Sequence, residues 1–239
     1  MIQLYQYGKG LSVLCLHGWG FDHAIWDCLK PIWPSNWQML TVDLPGHGLT
    51  PSMPMDLFTN NLLNILPQSF SIIGWSLGGL YAFHVANQGG RRINHLAAVA
   101  TSPCFLKHND WPGIEPAVLT RFYRRYAYDP IKTVHDFIEL QFLNHSHRPI
   151  YQYAPALPTD AELGLTLLKE MDFRHHIQGY EGNVSFLLGK QDAIVPSSLA
   201  NVLSGKLCVN DVSIINHCGH MPFLTHPDIF IDHMQERLT

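Results

Sequence analysis

The run Gly74-Trp75-Ser76-Leu77-Gly78-Gly79 has the form G-x-S-x-G, and the chemistry it suggests is attack by the Ser76 hydroxyl on a carbonyl carbon. A serine hydroxyl is a poor nucleophile until a base takes its proton, so the chain must supply one. His220, in Gly219-His220-Met221-Pro222-Phe223, is the expected base and would return the proton to the leaving alkoxide. Asp192, in Asp192-Ala193-Ile194-Val195-Pro196, would fix the imidazole tautomer and stabilise the imidazolium. Charge developing on the carbonyl oxygen needs donors, and the amides of Trp19 and Leu77 are the candidates, with Gly18 allowing the backbone to come close. His217 is a rival base ranked below His220, and His17 and His47 are read as histidines that shape loops by hydrogen bonding. Taken singly, Ser76 fits a helix-start serine, Asp192 a turn aspartate and His220 a loop histidine. Their conjunction, in the order serine, acid, histidine, carries the reading.

The elements around these residues are those that would position them. Residues 69–73 read as a short apolar strand and 80–86 as a mostly apolar helix, so Ser76 falls on a sharp strand-to-helix turn, a strained nucleophile elbow. Further buried strands are expected at 11–16, 37–42, 96–100, 184–188 and 212–215, with helices over 22–31, 56–66 and after Pro227. Continuous apolar strands separated by helices imply a mostly parallel central sheet covered on both faces. In such a sheet, loops at the carboxyl ends of strands converge on one crevice, and His17-Gly18-Trp19, Ser76, Asp192 and His220 all follow strands. Between residues 103 and 177 the pattern changes: prolines recur, and helical compositions over 115–126, 131–143 and 161–171 replace strand signals. That stretch is expected to be a helical lid, inserted after the sixth strand into a single domain spanning 1–239.

Composition bounds the partners. The 239 residues are 46% hydrophobic and 14% charged, with a net charge of −4, which supports one large core and argues against nucleic acid as a partner. The N-terminal run lacks the basic and apolar regions of a signal peptide, and no apolar stretch reaches the ~20 residues of a membrane span, so a cytoplasmic protein without membrane contact is expected. Five scattered cysteines without a C-x-x-C read as reduced buried hydrophobes. The fifteen histidines include the close pairs His145/His147, His175/His176 and His217/His220, yet none has the arrangement of a zinc site, and no metal is expected.

On these motifs the chain resembles the α/β-hydrolase superfamily and, within it, the BioH-type pimeloyl-[acyl-carrier protein] methyl ester carboxylesterases of biotin synthesis. Leu16-His17-Gly18-Trp19-Gly20 and Val42-Asp43-Leu44-Pro45-Gly46 are common in the superfamily; Ser102-Pro103-Cys104-Phe105 followed by Asp110-Trp111-Pro112-Gly113-Ile114 is the more specific likeness. Thr133-Val134, Phe137 and Leu140-Gln141 are similar too. The resemblance implies an esterase that needs no cofactor and unmasks the distal carboxylate of a pimeloyl chain carried on acyl-carrier protein. It implies that Phe137, Ile138, Glu139, Leu140 and Gln141 line the acyl channel, with Trp19, Ser76, Leu77 and His220 near the ester. Lid packing is the alternative role for Phe137 and Leu140. Acyl-carrier protein is acidic and this chain is net negative, so docking needs a local basic patch. Arg121, Arg124, Arg125 and Lys132 against Asp129 leave a local excess of three positive charges. Lys132 and Asp136 stand where the best-known members carry arginines. A monomer is expected. The competing readings are a general short-chain carboxylesterase, a thioesterase or a C–C bond hydrolase on the same triad, and a non-catalytic pocket protein on the same fold; epoxide hydrolases and haloalkane dehalogenases carry aspartate where this chain has Ser76.

Overall fold

The computed structural model describes residues 2–141 and 160–238. Seven strands, β1 (Tyr5–Gly8), β2 (Leu11–Leu16), β3 (Trp37–Val42), β4 (Phe70–Trp75), β5 (Ile93–Val99), β6 (Val184–Gly189) and β7 (Asp211–Ile215), form one sheet in the order β1-β3-β2-β4-β5-β6-β7. All neighbours are parallel except β1, which runs antiparallel to β3. The five central strands are apolar because both their faces are covered. Along β2, Val13 and Cys15 face one core with Ile73 and Trp75, while Leu14 and Leu16 face the other with Ile72. A strand buried on both sides loses its alternation, which is why the sequence shows it as an unbroken apolar run.

One face carries α1 (Met55–Ile65) and α2 (Leu77–Gly89); the other carries a 3-10 helix over His23–Ile32 and α9 (Pro227–Leu238). The 3-10 helix starts on Asp22, whose carboxylate accepts the Ala24 amide at 2.9 Å, and contains Pro31, which cannot donate into a continuing α-helix. Sheet order reverses at β2 and β4: from β2 the chain moves outward to β3, then crosses back to place β4 on the opposite side. That switch point is where loops after parallel strands diverge and leave a crevice. Leu16 pairs with Gly74, so the loop after β2 and the turn after β4 begin side by side.

Helices α3 (Pro116–Tyr128), α4 (Pro130–Gln141), α5 (Ala161–Glu170) and α6 (Arg174–Gln178) form a cap between β5 and β6. It follows the fifth strand rather than the expected sixth, because the first ten residues contribute only the edge strand β1 before β2. The short helices α7 (Leu199–Lys206) and α8 (Pro222–Thr225) complete the chain. No helix among the described residues is long and apolar enough to cross a membrane. The cysteines are free; Cys15, Cys104 and Cys218 are buried as expected, whereas Cys208 is exposed.

Candidate active site

The turn between β4 and α2 sets Ser76 at φ 53°, ψ −120°, a left-handed conformation that non-glycine residues avoid and that costs about 1–3 kcal/mol. Close packing on both sides holds it there. A Cβ on Gly74 would lie 2.6 Å from the Ala82 Cβ, and one on Gly78 would lie 2.3 Å from the Leu16 carbonyl oxygen. These glycines let strand and helix meet at the elbow. The Ser76 amide donates to the Val99 carbonyl at 3.0 Å, which ties the elbow to the end of β5. Leu77 opens α2, so its N–H has no carbonyl one turn earlier in the helix to receive it.

Ser76 Oγ lies 2.9 Å from His220 Nε2, and His220 Nδ1 lies 2.7 Å from Asp192 Oδ2. A carboxylate only accepts, so Nδ1 carries a proton toward Asp192 and Nε2 is the nitrogen that faces the serine hydroxyl. The other Asp192 oxygen accepts the amides of Ile194 at 2.8 Å and Val195 at 3.0 Å, fixing the carboxylate. The histidine and aspartate side chains are 1% and 0% exposed, so water does not compete for these bonds. The loops that carry them are fastened together: Gln191 N–H donates to the Cys218 carbonyl at 2.8 Å, and Trp75 Nε1 donates to the His220 carbonyl at 2.8 Å. The Trp75 ring also packs against Gly18, where a Cβ would come within 3.0 Å. His217, three residues from His220, is exposed, so of the two it is His220 that meets the serine.

Two buried histidines brace the loop that bears Trp19. His17 donates from Nδ1 to the Gly18 carbonyl at 2.8 Å and accepts the Leu44 amide on Nε2 at 2.9 Å. His47 donates from Nδ1 to the Pro45 carbonyl at 3.1 Å and accepts the Gly20 amide on Nε2 at 3.3 Å. Each ring thus needs one protonated and one bare nitrogen. Burial pushes both pKa values down, that of His47 to about 3, where the neighbouring His17 adds to the shift. Asp43 accepts the amides of His23 and Leu49, each at 2.9 Å, and meets His23 Nδ1 at 2.6 Å. Burial raises its pKa, but those hydrogen bonds outweigh it and hold the carboxyl at about 2. Asp22, His23 and Asp43 bring potential metal-ligand atoms within 4.8 Å of one another. Their oxygens already accept amide donors, Ala24 on Asp22 and His23 and Leu49 on Asp43, so the cluster reads as a loop brace.

Above Ser76 lies a cavity of about 120 Å³ between the sheet end and the cap. The Trp19 ring walls it and makes edge contacts with Phe122, Tyr126 and Phe137 at centroid distances of 5.4, 5.6 and 5.3 Å. Phe137 and Leu140 line the cavity, whereas Ile138, Glu139 and Gln141 do not. Helical geometry is the reason. Positions 137 and 140 share one face, while Val134, Ile138 and Gln141 recur at i, i+4 and i+7 on the face packed into the protein. Leu77 and His220 are also absent from the lining: Leu77 is wholly buried, and the His220 ring is buried and bonded to Ser76 and Asp192. Sequence reasoning missed Phe105, Leu119, Phe122, Leu165, Leu168 and Ile194, all of which line the cavity. The i, i+3 pairs 119/122 and 165/168 were visible, but an apolar helix face does not say whether it covers a core or a cavity.

On the outer cap surface, Arg121 and Arg124 are exposed with no ion pair among the described residues. Arg125 and Lys132 instead converge on Asp136, so the local excess falls to two positive charges. The expected free patch is smaller because α4 folds back along α3 and brings that acid with it. Arg148, the next arginine along the chain beyond that patch, and the His145/His147 pair lie outside the described residues.

A family model described as "Alpha/beta hydrolase family" matches residues 13–233. The chain is 37% identical to the pimeloyl-[acyl-carrier protein] methyl ester esterase of Legionella pneumophila (strain Corby) over 98% of each chain. It is 31% identical to the protein of that name from Nitrosomonas europaea over 96% of each. Among solved structures, an esterase from Exiguobacterium antarcticum superposes with a TM-score of 0.87 at 18% identity, covering 99% of this chain and 95% of the other. A bromoperoxidase from Bacillus anthracis does so with a TM-score of 0.86 at 22% identity and the same coverage. At those identities the structural likeness speaks to the fold.

Proposed function

We propose, for a chain that belongs to the alpha/beta hydrolase family, that it is a serine carboxylesterase hydrolysing the methyl ester of a pimeloyl chain on acyl-carrier protein, a step of biotin synthesis. The observation that carries the chemistry is the buried hydrogen-bonded series Ser76–His220–Asp192 at the floor of an apolar cavity. The substrate assignment is supported by relatives of that printed name aligned over nearly the whole chain.

In this reading Ser76 Oγ attacks the ester carbonyl as its proton passes to His220 Nε2. The carbonyl electrons move to oxygen, and the Trp19 and Leu77 amides receive the resulting oxyanion. Asp192 keeps Nδ1 protonated and offsets the imidazolium charge. The tetrahedral intermediate collapses, methoxide leaves with the proton from His220, and Ser76 is left acylated. Water then attacks with His220 as base, releasing the free carboxylate and restoring the serine. The cavity supports an aliphatic acyl chain, since its lining holds no charged side chain that an uncharged chain would have to desolvate. Phe137 and Leu140 would contact that chain. The exposed Arg121 and Arg124 are the part of the basic surface left to meet an acidic carrier.

The test is methanol release from pimeloyl-carrier-protein methyl ester. Wild type is expected to release it and Ser76→Ala to release none above background; release by the variant would overturn the mechanism.

A further inference from the structure

We infer that Thr101 is a positioning residue for the oxyanion donor Leu77, acting through the peptide that joins Ser76 to Leu77; the inference rests on the reading of Ser76 as nucleophile. Thr101 is fully buried, and its hydroxyl donates to the Ser76 carbonyl at 2.7 Å. The Gly79 amide donates to the same oxygen at 2.9 Å. The Ser76 carbonyl and the Leu77 N–H are two ends of one planar trans peptide, pointing in opposite directions. Clamping the carbonyl end therefore sets the direction of the N–H end. A carbonyl that accepts hydrogen bonds also polarises its peptide, which makes the opposite N–H a better donor.

The surroundings are built to hold that side chain. Ala100, immediately before it, has φ 44°, a second left-handed non-glycine residue, and its amide donates to the Leu187 carbonyl at 2.8 Å. This kink at the end of β5 turns residue 101 toward the elbow. Gly79 is shaped to receive it, since a Cβ there would lie 2.2 Å from Thr101 Oγ1 and 2.4 Å from its Cγ2. Gly79 thus makes room for Thr101, as Gly78 makes room for the Leu16 carbonyl. The two backbone bonds of the elbow need no particular residue at 101, but the third bond needs a hydroxyl. An oxyanion exists in the transition state and not in the bound ester, so mis-aiming its donor lowers kcat and leaves KM alone.

The test compares Thr101→Val, Thr101→Ala and Thr101→Ser on a short p-nitrophenyl ester, with thermal melts and the Ki of a boronic acid transition-state analogue. Thr101→Val keeps the shape and removes the donor. We expect kcat to fall about tenfold, less than the ~10²–10³ of losing an oxyanion donor outright, with KM within about twofold and the analogue's Ki rising in parallel. Thr101→Ala should lose as much, should Thr101→Val fail to fold, and Thr101→Ser should restore most of the rate. An unchanged kcat in folded Thr101→Val or Thr101→Ala, or an equal loss in Thr101→Ser, would overturn the inference while leaving Ser76 as nucleophile. A wild-type protein that neither cleaves esters nor takes a fluorophosphonate label at Ser76 would overturn the nucleophile reading, and this inference with it.

Discussion

The floor of the site and its cap are built from different materials. The floor, at the carboxyl ends of β2 to β7, is fixed by directional bonds between buried polar groups. Ser76, His220, Asp192, His17, His47 and Thr101 each have a specific partner within 3.3 Å or less. The cap meets the cavity with hydrocarbon and aromatic edges, and its ion pairs lie on the outer surface, where solvent screens them and they contribute little. Directional bonds hold atoms to tenths of an ångström, as proton transfer requires. Apolar contact is tolerant of shape, which suits a surface that only has to accept a chain. The floor is therefore suited to setting whether a bond breaks, and the cap to setting which substrate is presented.

Removing the triad groups of the floor should give the largest effects, equal on every substrate. Ser76→Ala or His220→Ala is expected to lower kcat by about 10⁵–10⁶, and Asp192→Asn by about 10⁴ through the wrong imidazole tautomer. Steady-state kinetics on carrier-bound and short esters checks both magnitude and equality. A loss confined to one substrate would erase the division between floor and cap.

Cap changes should be smaller and selective. Phe137→Ala removes aromatic contact worth about 2 kcal/mol along the acyl chain, so kcat/KM for the carrier-bound ester should fall about 30-fold, and less than about threefold for a two-carbon ester. Comparable losses on both would assign Phe137 to packing.

The floor should also carry a pH signature that the cap lacks. Neutral His17 and His47 have lower pKa values folded than unfolded, so each takes up a proton on unfolding in acid. Their contribution to stability is complete above about pH 6.5 and drains away as the pH falls, for His47 down to about pH 3. His47→Gln should remove about one proton from the slope of unfolding free energy against pH between 6 and 4, ~1.4 kcal/mol per pH unit. Urea melts across that range would show it, and an unaltered slope would count against a neutral buried His47.

The smallest effect belongs to the outer surface. Arg121→Glu with Arg124→Glu should lower kcat/KM for the carrier-bound ester several-fold at low salt and little at high salt, leaving the free ester unaffected. Arg125→Glu should do less, because that guanidinium already meets Asp136.

This division explains what could be read from the chain. The floor was legible because its chemistry restricts residue type and spacing: the elbow needs glycines beside Ser76, and a triad needs an acid and a histidine after later strands. Apolar strands such as Leu11–Leu16 and Trp37–Val42 matched to the residue, since burial on both faces leaves an unbroken run. Edge strand β1 was missed because it is a short and mostly exposed edge strand, with no buried apolar run to mark it. Thr101 was missed because its partner is a backbone carbonyl 25 positions away. On the cap, Phe137 and Leu140 could be told from Ile138 and Gln141 only once the axis of α4 was placed. Asp136 reaches Arg125 through a helix hairpin that charge counting over 121–132 did not include.

The most direct measurement is the ratio of specificity constants for pimeloyl-carrier-protein methyl ester and a short p-nitrophenyl ester, on wild type and Ser76→Ala. A ratio well above ten is expected for wild type, with loss of both activities in the variant. Efficient cleavage of the short ester alone would keep the floor and contradict the substrate assignment, and activity surviving in Ser76→Ala would contradict the floor itself.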